Sequence, residues 1–195
     1  MGHSRVEKVK THERIVALAS KRFREKGLEG IGIAELMKQS GLTVGGFYKH
    51  FGSRDDLVAQ ALGSAAGPWQ RLADAAASGG PPVTYDSLVD AYLSETYRNH
   101  PGPGCPVGAL AGELARSNKR TWAVLTRQVS EYIEGLADLI RDASCEDKGA
   151  SRSRAVMSVC ALIGAITVSR AVSDEQLSRE ILKPVAQLVK SPEAE

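Results

Sequence analysis

The sequence predicts an all-helical fold: an N-terminal unit of three helices built around a helix-turn-helix, followed by a longer run of helices. Three observations carry this. Alternating β-branched runs, the mark of strands, are nearly absent. Most apolar residues recur at three- and four-residue intervals, the period of a helix face. Two short helical stretches are separated only by Ser40-Gly41-Leu42, too little chain for anything except a sharp turn.

A first helix runs from about Thr11 to Lys26, with Ile15, Leu18, Ala19 and Phe23 on one face and Gly27 as its C-terminal stop. A second runs from about Ile33 to Ser40 and ends at Gly41, which supplies the left-handed backbone of the turn. Thr43 is placed to cap a third helix of one to two turns, on which Phe47 and Phe51 share a face. Asp55 and Asp56 open a fourth, continued by Leu57, Val58, Ala61 and Leu62 towards Gly67-Pro68. Beyond Gly79-Gly80-Pro81-Pro82, helices are predicted at about Val83 to Asn99, Val107 to Ser117, Lys119 to Ala143, Ser151 to Val172 and Asp174 to Lys190. Pro184 removes a backbone donor inside the last of these and is expected to kink it.

With 43% hydrophobic, 25% charged and 5% aromatic residues, the 195-residue chain has a globular composition, which excludes collagen-like and disordered classes. Its longest apolar stretch, Val156 to Val168, is shorter than the roughly 18 residues a bilayer span needs and is broken by Ser158 and Thr167, so no membrane partner is expected. Residues 1–13 are charged and polar, without the apolar segment of a secretory signal, which points to the cytoplasm. Cys105, Cys145 and Cys160 are odd in number and widely spaced, as free thiols in a reducing compartment would be. The net charge of +2 is unevenly spread: residues 1–60 hold 11 Lys/Arg against 7 Asp/Glu, and residues 61–195 hold 14 against 16. Such an asymmetry suits a polyanion at the N-terminal end.

In the helix-turn-helix, Leu36 and Leu42 are placed to meet Phe47 and the Phe23 face of the first helix, which fixes the angle between the two short helices. The outward face then carries Thr43, Val44, Gly45, Tyr48, Lys49 and His50. Thr43 and the amides at Val44 and Gly45 can hold a phosphate, Tyr48 offers a hydroxyl and a flat apolar edge, and Lys49, His50 and Arg54 add donors and charge. Gly45 and Gly46 weaken a helix by up to about 1 kcal/mol each relative to alanine. Close approach of the backbone to a groove is the role that accounts for them.

Phe23, Gly27, Ile33-Ala34-Glu35-Leu36, Gly41, Gly46-Phe47-Tyr48-Lys49-His50-Phe51 and Leu57 together resemble the DNA-binding domain of TetR/AcrR-family transcriptional regulators, over about residues 11–60. The resemblance implies a helix-turn-helix DNA-binding domain in residues 1–55 and a helical effector-binding and dimerisation domain in residues 56–195. It implies a homodimer on a palindromic operator, with each third helix in a major groove and a small-molecule inducer bound in the C-terminal domain. Carried over residue by residue, Gly32, Thr43, Val44, Gly45, Tyr48, Lys49 and His50 face DNA, and Arg54 takes the position of a phosphate-binding lysine. Gly32 stands where the family usually has a Ser or Thr cap, and Gly46 replaces a frequent Thr or Ser. With Val44 and two glycines on the reading face, operator choice leans on thymine-methyl contacts and DNA shape.

In the C-terminal region, the resembled architecture makes Trp69, Tyr92, Trp122, Gln128 and Tyr132 candidate pocket walls. Cys105 joins them as a thiol at or just before a helix N-terminus, where the dipole favours thiolate; packing as a small hydrophobe is its other reading. Cys160, beside Val156, Val159 and Ile163, is expected to pack internally, and Cys145 to sit in a polar loop. Ala161, Gly164, Ala165 and Val168 form a small-residue stripe, and Leu177, Ile181 and Leu188 with Val185 an apolar one; paired with their symmetry mates they would make a four-helix dimer interface.

Catalysis is not indicated. His3, His12, His50 and His100 are scattered, and no metal-ligand spacing, nucleophile motif or glycine-rich phosphate loop appears, so no catalytic residue, metal or cofactor is assigned. The leading reading is a homodimeric repressor released by an inducer. The alternatives are a thiol-based repressor that responds to oxidants or electrophiles through Cys105, and a helical interaction protein without specific DNA binding.

Overall fold

The computed structural model describes residues 5–65, 74, 76–144 and 147–190, and no strand occurs among them. Helix α1 (Arg5–Lys26) ends where Gly27, at φ 77°, donates its N–H to the Phe23 carbonyl at 2.8 Å. After α2 (Ile33–Gln39), Gly41 at φ 70° turns the chain and the Leu42 N–H reaches the Met37 carbonyl at 2.9 Å. The expected third helix, Val44–Lys49, is a tight 3-10 helix: Gly46 bonds back to Thr43 and His50 to Phe47, each at 2.9 Å. Its two glycines explain the tighter winding, since they add little to an α-helix and leave no side-chain crowding to resist it. Helix α3 (Arg54–Gly63) is capped by Ser53, whose hydroxyl accepts from the Asp56 N–H at 3.1 Å.

The single helix expected at Val83 to Asn99 is two, α4 (Tyr85–Tyr92) and α5 (Glu95–Asn99). Ser94 divides them, because its side chain accepts from the Tyr97 N–H at 3.1 Å and starts a new helix. Then come α6 (Pro106–Leu114), with Cys105 at its cap position and Pro106 in its first turn, α7 (Lys119–Ser144), α8 (Lys148–Ala171) and α9 (Glu175–Lys190), which contains Pro184.

Two apolar cores form. One joins Ile15, Ala19 and Phe23 of α1, Leu36 and Met37 of α2, Phe47, Phe51, and Leu57, Val58, Ala61 and Leu62 of α3. The other joins α4, α7, α8 and α9 around Leu88, Val89, Tyr92, Leu136, Ile140, Leu162 and Ile166. Helix α6 belongs to both: Leu110 and Leu114 are buried in the first, Cys105 and Val107 in the second. Polar ties reinforce this junction. Glu113 accepts the Leu28 N–H at 2.7 Å, Gln128 donates to the Leu62 carbonyl at 2.6 Å, Arg24 donates to the Gly102 carbonyl at 2.7 Å, and Arg120 pairs with Asp56 at 2.8 Å.

Helix α8 is long and apolar enough to cross a membrane by length and composition alone. Its apolarity has two local destinations. Ala155, Val159, Leu162 and Ile166 are buried in the second core, while Val156, Met157 and Val168 lie on the outer face. Cys160 is exposed on that outer face rather than packed inside as the sequence suggested: a step of four residues from Val156 carries it round with the exposed side, not with Val159.

Candidate nucleic-acid interface and core cavity

The helix-turn-helix core buries Phe23, Leu36, Phe47 and Phe51 almost completely, with Leu42 packed at its edge. This pins the 3-10 helix by one side and leaves the other in solvent. Tyr48 is 71% exposed and Val44 49% exposed. Thr43 and Lys49 are exposed beside them, and a side chain at Gly32 or Gly45 would meet nothing within 4 Å. Gly32 and Thr43 stand at the caps of α2 and the 3-10 helix, and neither end is closed by a side-chain hydrogen bond. The first N–H groups at each end are therefore not closed by a capping side chain, and phosphate oxygens could accept from them.

His50 and Arg54 are held differently. The His50 ring lies 5.9 Å from that of His12, which itself stacks on Phe51 at 4.6 Å, and His50 Nδ1 is buried without a partner. Burial, followed by the charges of His12, Lys8 and Lys49, lowers the pKa of His50. Arg54 turns inward: it pairs with Glu29 at 2.9 Å, donates to the Leu28 carbonyl and lies 5.9 Å over the Phe23 ring. In this structure Arg54 thus ties α3 to the loop after α1. His12 was not singled out from the sequence as part of this surface, since nothing local connects residue 12 with residue 50.

In the second core, Leu88, Tyr92, Cys105, Tyr132, Leu136, Val159, Leu162 and Ile163 enclose a cavity of about 30 Å³. Tyr92, Cys105 and Tyr132 are therefore brought together in one cavity lining. Trp122 is not: it is 45% exposed and donates to the Leu114 carbonyl at 2.8 Å. Gln128 is buried at the junction with α3, and Trp69 lies outside the described residues. On the outer face of α8 and α9, Val168, Leu177 and Leu188 are exposed, nothing lies within 4 Å of a side chain at Gly164, and Ala161 and Ile181 are half-buried. Ala165 faces the other way, 5% exposed in the core of its own chain.

Residues 15–61 match the model of the bacterial regulatory proteins of the tetR family. The chain carries a TetR-family DNA-binding domain. Regulators of this family are transcription factors rather than enzymes. Solved structures share the fold over almost the full length. E. coli NemR in its reduced form matches with a TM-score of 0.73 at 20% identity, covering 95% of this chain and 100% of that one. A TetR-family regulator from Cytophaga hutchinsonii matches with a TM-score of 0.75 at 18% identity, over 97% and 96% of the two chains. A third, from Chloroflexus aurantiacus, gives 0.72 at 21% identity, over 94% and 96%. No curated protein sequence matches the chain.

The surface of this TetR-family domain separates two kinds of residue. Tyr48→Ala and Lys49→Ala should weaken DNA binding while leaving the melting temperature nearly unchanged, with Lys49→Ala lowering the salt slope by about one unit. Arg54→Ala should instead cost about 1 kcal/mol of stability, through its internal contacts. Thermal denaturation set beside anisotropy titrations across salt distinguishes the two classes.

His50 provides a pH signature. Its pKa is lowered in the folded chain from the ordinary 6.5, so the unfolded chain takes up the proton first on acidification. The stability it contributes is present above pH 6.5 and is lost as pH falls through the lowered value. Melting temperatures measured from pH 7.5 to 5 should fall less steeply for His50→Gln than for the native chain.

Proposed function

We propose that the protein is a homodimeric repressor that holds a palindromic operator and leaves it when a small molecule occupies the C-terminal domain. Residues 1–55 form the reading head, and residues 56–195 form the effector-binding and dimerisation part, with α3 packing back onto the core of the head. The observation that carries this reading is the outer face of α8 and α9. Met157, Val168, Leu177 and Leu188 are 64%, 49%, 45% and 74% exposed, an apolar patch that favours association, and Gly164 allows two helices to approach closely. An isologous pairing of this face would repeat both helices across a two-fold axis and give two heads for two half-sites. Thr43, Val44, Gly45, Tyr48 and Lys49 would then meet each groove, with Gly32 and His50 at the flanking backbone.

A second reading, a thiol-responsive repressor, is favoured by the position of Cys105. It is 2% exposed, caps α6 and lines the cavity, so a reagent that entered the cavity would meet its sulfur. In that case Cys105→Ser would abolish release of DNA by oxidants or electrophiles.

Val168→Glu combined with Leu188→Glu places four carboxylates in the proposed dimer interface. Sedimentation should show a folded monomer, and affinity for a palindromic operator found upstream of its own gene should fall at least a hundredfold. A double variant that remains dimeric would contradict this assignment of the interface. A native chain that binds every duplex weakly and alike would favour the interaction-protein reading.

A further inference from the structure

Helix α7 lies beside α3 and runs in the same direction. Arg120 reaches Asp56 at 2.8 Å, Gln128 donates to the Leu62 carbonyl at 2.6 Å, and a Cβ at Gly63 would meet Arg127 and Val124 at 3.8 and 4.0 Å. The path from Asp56 to Leu62 along α3 is thus matched by the path from Arg120 to Gln128 along α7. The N-terminus of α7 therefore stands beside that of α3, at the end where Ser53 and Arg54 follow the 3-10 helix.

The turn that leads into α7, residues 115–118, is fastened at this end on both sides. Glu113, in the last turn of α6, accepts the Leu28 N–H at 2.7 Å, four residues before the Gly32 cap of α2. Arg120 holds one oxygen of Asp56, whose other oxygen accepts the Gly52 N–H at 3.1 Å in the loop after the 3-10 helix. The turn is also closed internally. The Trp122 indole N–H donates to the Leu114 carbonyl at 2.8 Å, and the Asn118 side chain accepts the Thr121 N–H at 3.1 Å. A rigid turn is therefore held between the approaches to α2 and α3, the two helix starts beside the reading face.

Arg116, Lys119 and Arg120 are all exposed here, Arg120 at 62% even while paired. Among the described residues, Arg116 and Lys119 have no ion-pair partner. The nearby carboxylates are mostly engaged: Glu113 by Leu28, Asp56 by Arg120 and Glu29 by Arg54. Asp55 stays exposed and offsets one of the cations. Exposed cations are common on any protein surface; these differ in being fixed on a rigid turn at the end of the molecule where the head meets its partner.

We propose that Arg116 and Lys119, together with Arg120, form a second DNA contact, holding backbone phosphates just outside the groove met by the 3-10 helix. The proposal rests on the DNA-binding reading of the head and extends it to a turn of the C-terminal part. Such contacts carry no sequence information; they add affinity by releasing counterions and fix how the head sits on the duplex. Arg116 brings a planar fork and Lys119 a point charge, both suited to phosphate oxygens. An acidic protein surface would match the charge as well. A duplex is favoured because a backbone held at the starts of α2 and α3 passes the turn fixed between them.

The test uses an operator selected from random duplexes with the native protein. One duplex ends at the outer edges of the selected palindrome, and a second is longer by about ten base pairs, one helical turn, on each side. Anisotropy titrations across salt should show the native protein binding the long duplex at least tenfold more tightly. Arg116→Gln with Lys119→Gln should reduce this to the affinity for the short duplex and lower the salt slope by about two units per protomer, one for each lost phosphate contact. Affinity for the short duplex and the melting temperature should stay as in the native protein. Arg116→Lys with Lys119→Arg keeps both charges and should retain the gain from the flanks, whereas Tyr48→Ala should weaken binding to both duplexes alike. Equal native affinity for the two duplexes would overturn the proposal and leave the operator reading standing. A glutamine double variant that keeps the gain would also overturn it, the result expected if this turn docks an acidic protein instead. A native chain that selects no sequence and binds every duplex alike would remove the operator reading and the proposal with it.

Discussion

Helix α6 is nine residues long and is committed to two cores at once, and the relation between the two halves of the molecule depends on that division. Its last turn buries Leu110 and Leu114 among Phe23, Leu57 and Leu62, while its first turn buries Val107 against α8 and α4. A helix of this length behaves as a rigid rod, because its backbone bonds are internal and its side chains interlock at both ends. A displacement at Cys105 or Gly108 would therefore be carried towards Leu114. The Glu113 carboxylate fixes the register of this connection by accepting the N–H of Leu28, just past the end of α1. Thr167 adds a tie at the other end, donating to the Gly108 carbonyl at 3.1 Å.

The proposed reading surface is held by fewer contacts. Four aromatic and aliphatic anchors hold the 3-10 helix from behind, so Val44, Tyr48 and Lys49 can project into solvent without the head losing its shape. Positive charge near this surface is divided between cations left in water, such as Lys49, and those used internally, such as Arg54 on Glu29 and Leu28. Only the first kind is free to displace counterions from a duplex, and for that reason the balance of charges along the sequence overstates the electrostatic footprint.

Much of the fold was legible because its signals are local. Gly27 and Gly41 adopt the positive φ expected of a helix stop and a turn, and the four-residue spacing of Phe47 and Phe51 places both in the core. The break at Ser94 was missed because Leu93-Ser94 continues a helical pattern, and only the hydrogen bond from Tyr97 shows that the serine starts a new helix. The exposed side of the 3-10 helix was legible as well, since exposure of Tyr48 and Lys49 follows from burial of their neighbours at helical spacing. The inward turn of Arg54 was not, because Glu29 lies 25 residues away and no local pattern pairs them. For the same reason the candidate wall residues divided: Tyr92, Cys105 and Tyr132 converge on the cavity, whereas Trp122 and Gln128, on the same helix as Tyr132, face the DNA-binding side.

If α6 couples the second core mechanically to the DNA-binding head, Gly108 is where the coupling can be tested without any ligand. A methyl group there would come within 2.8 Å of the Tyr92 hydroxyl and 3.2 Å of Ile166 Cγ2. The Tyr92 ring is packed against Tyr97, so the strain falls on α6. The decisive measurement is the operator affinity of Gly108→Ala, on protein shown to be folded and in the native oligomeric state. Coupling through α6 predicts at least a tenfold loss of affinity with no residue of the reading surface changed. Affinity equal to that of the native protein would contradict it.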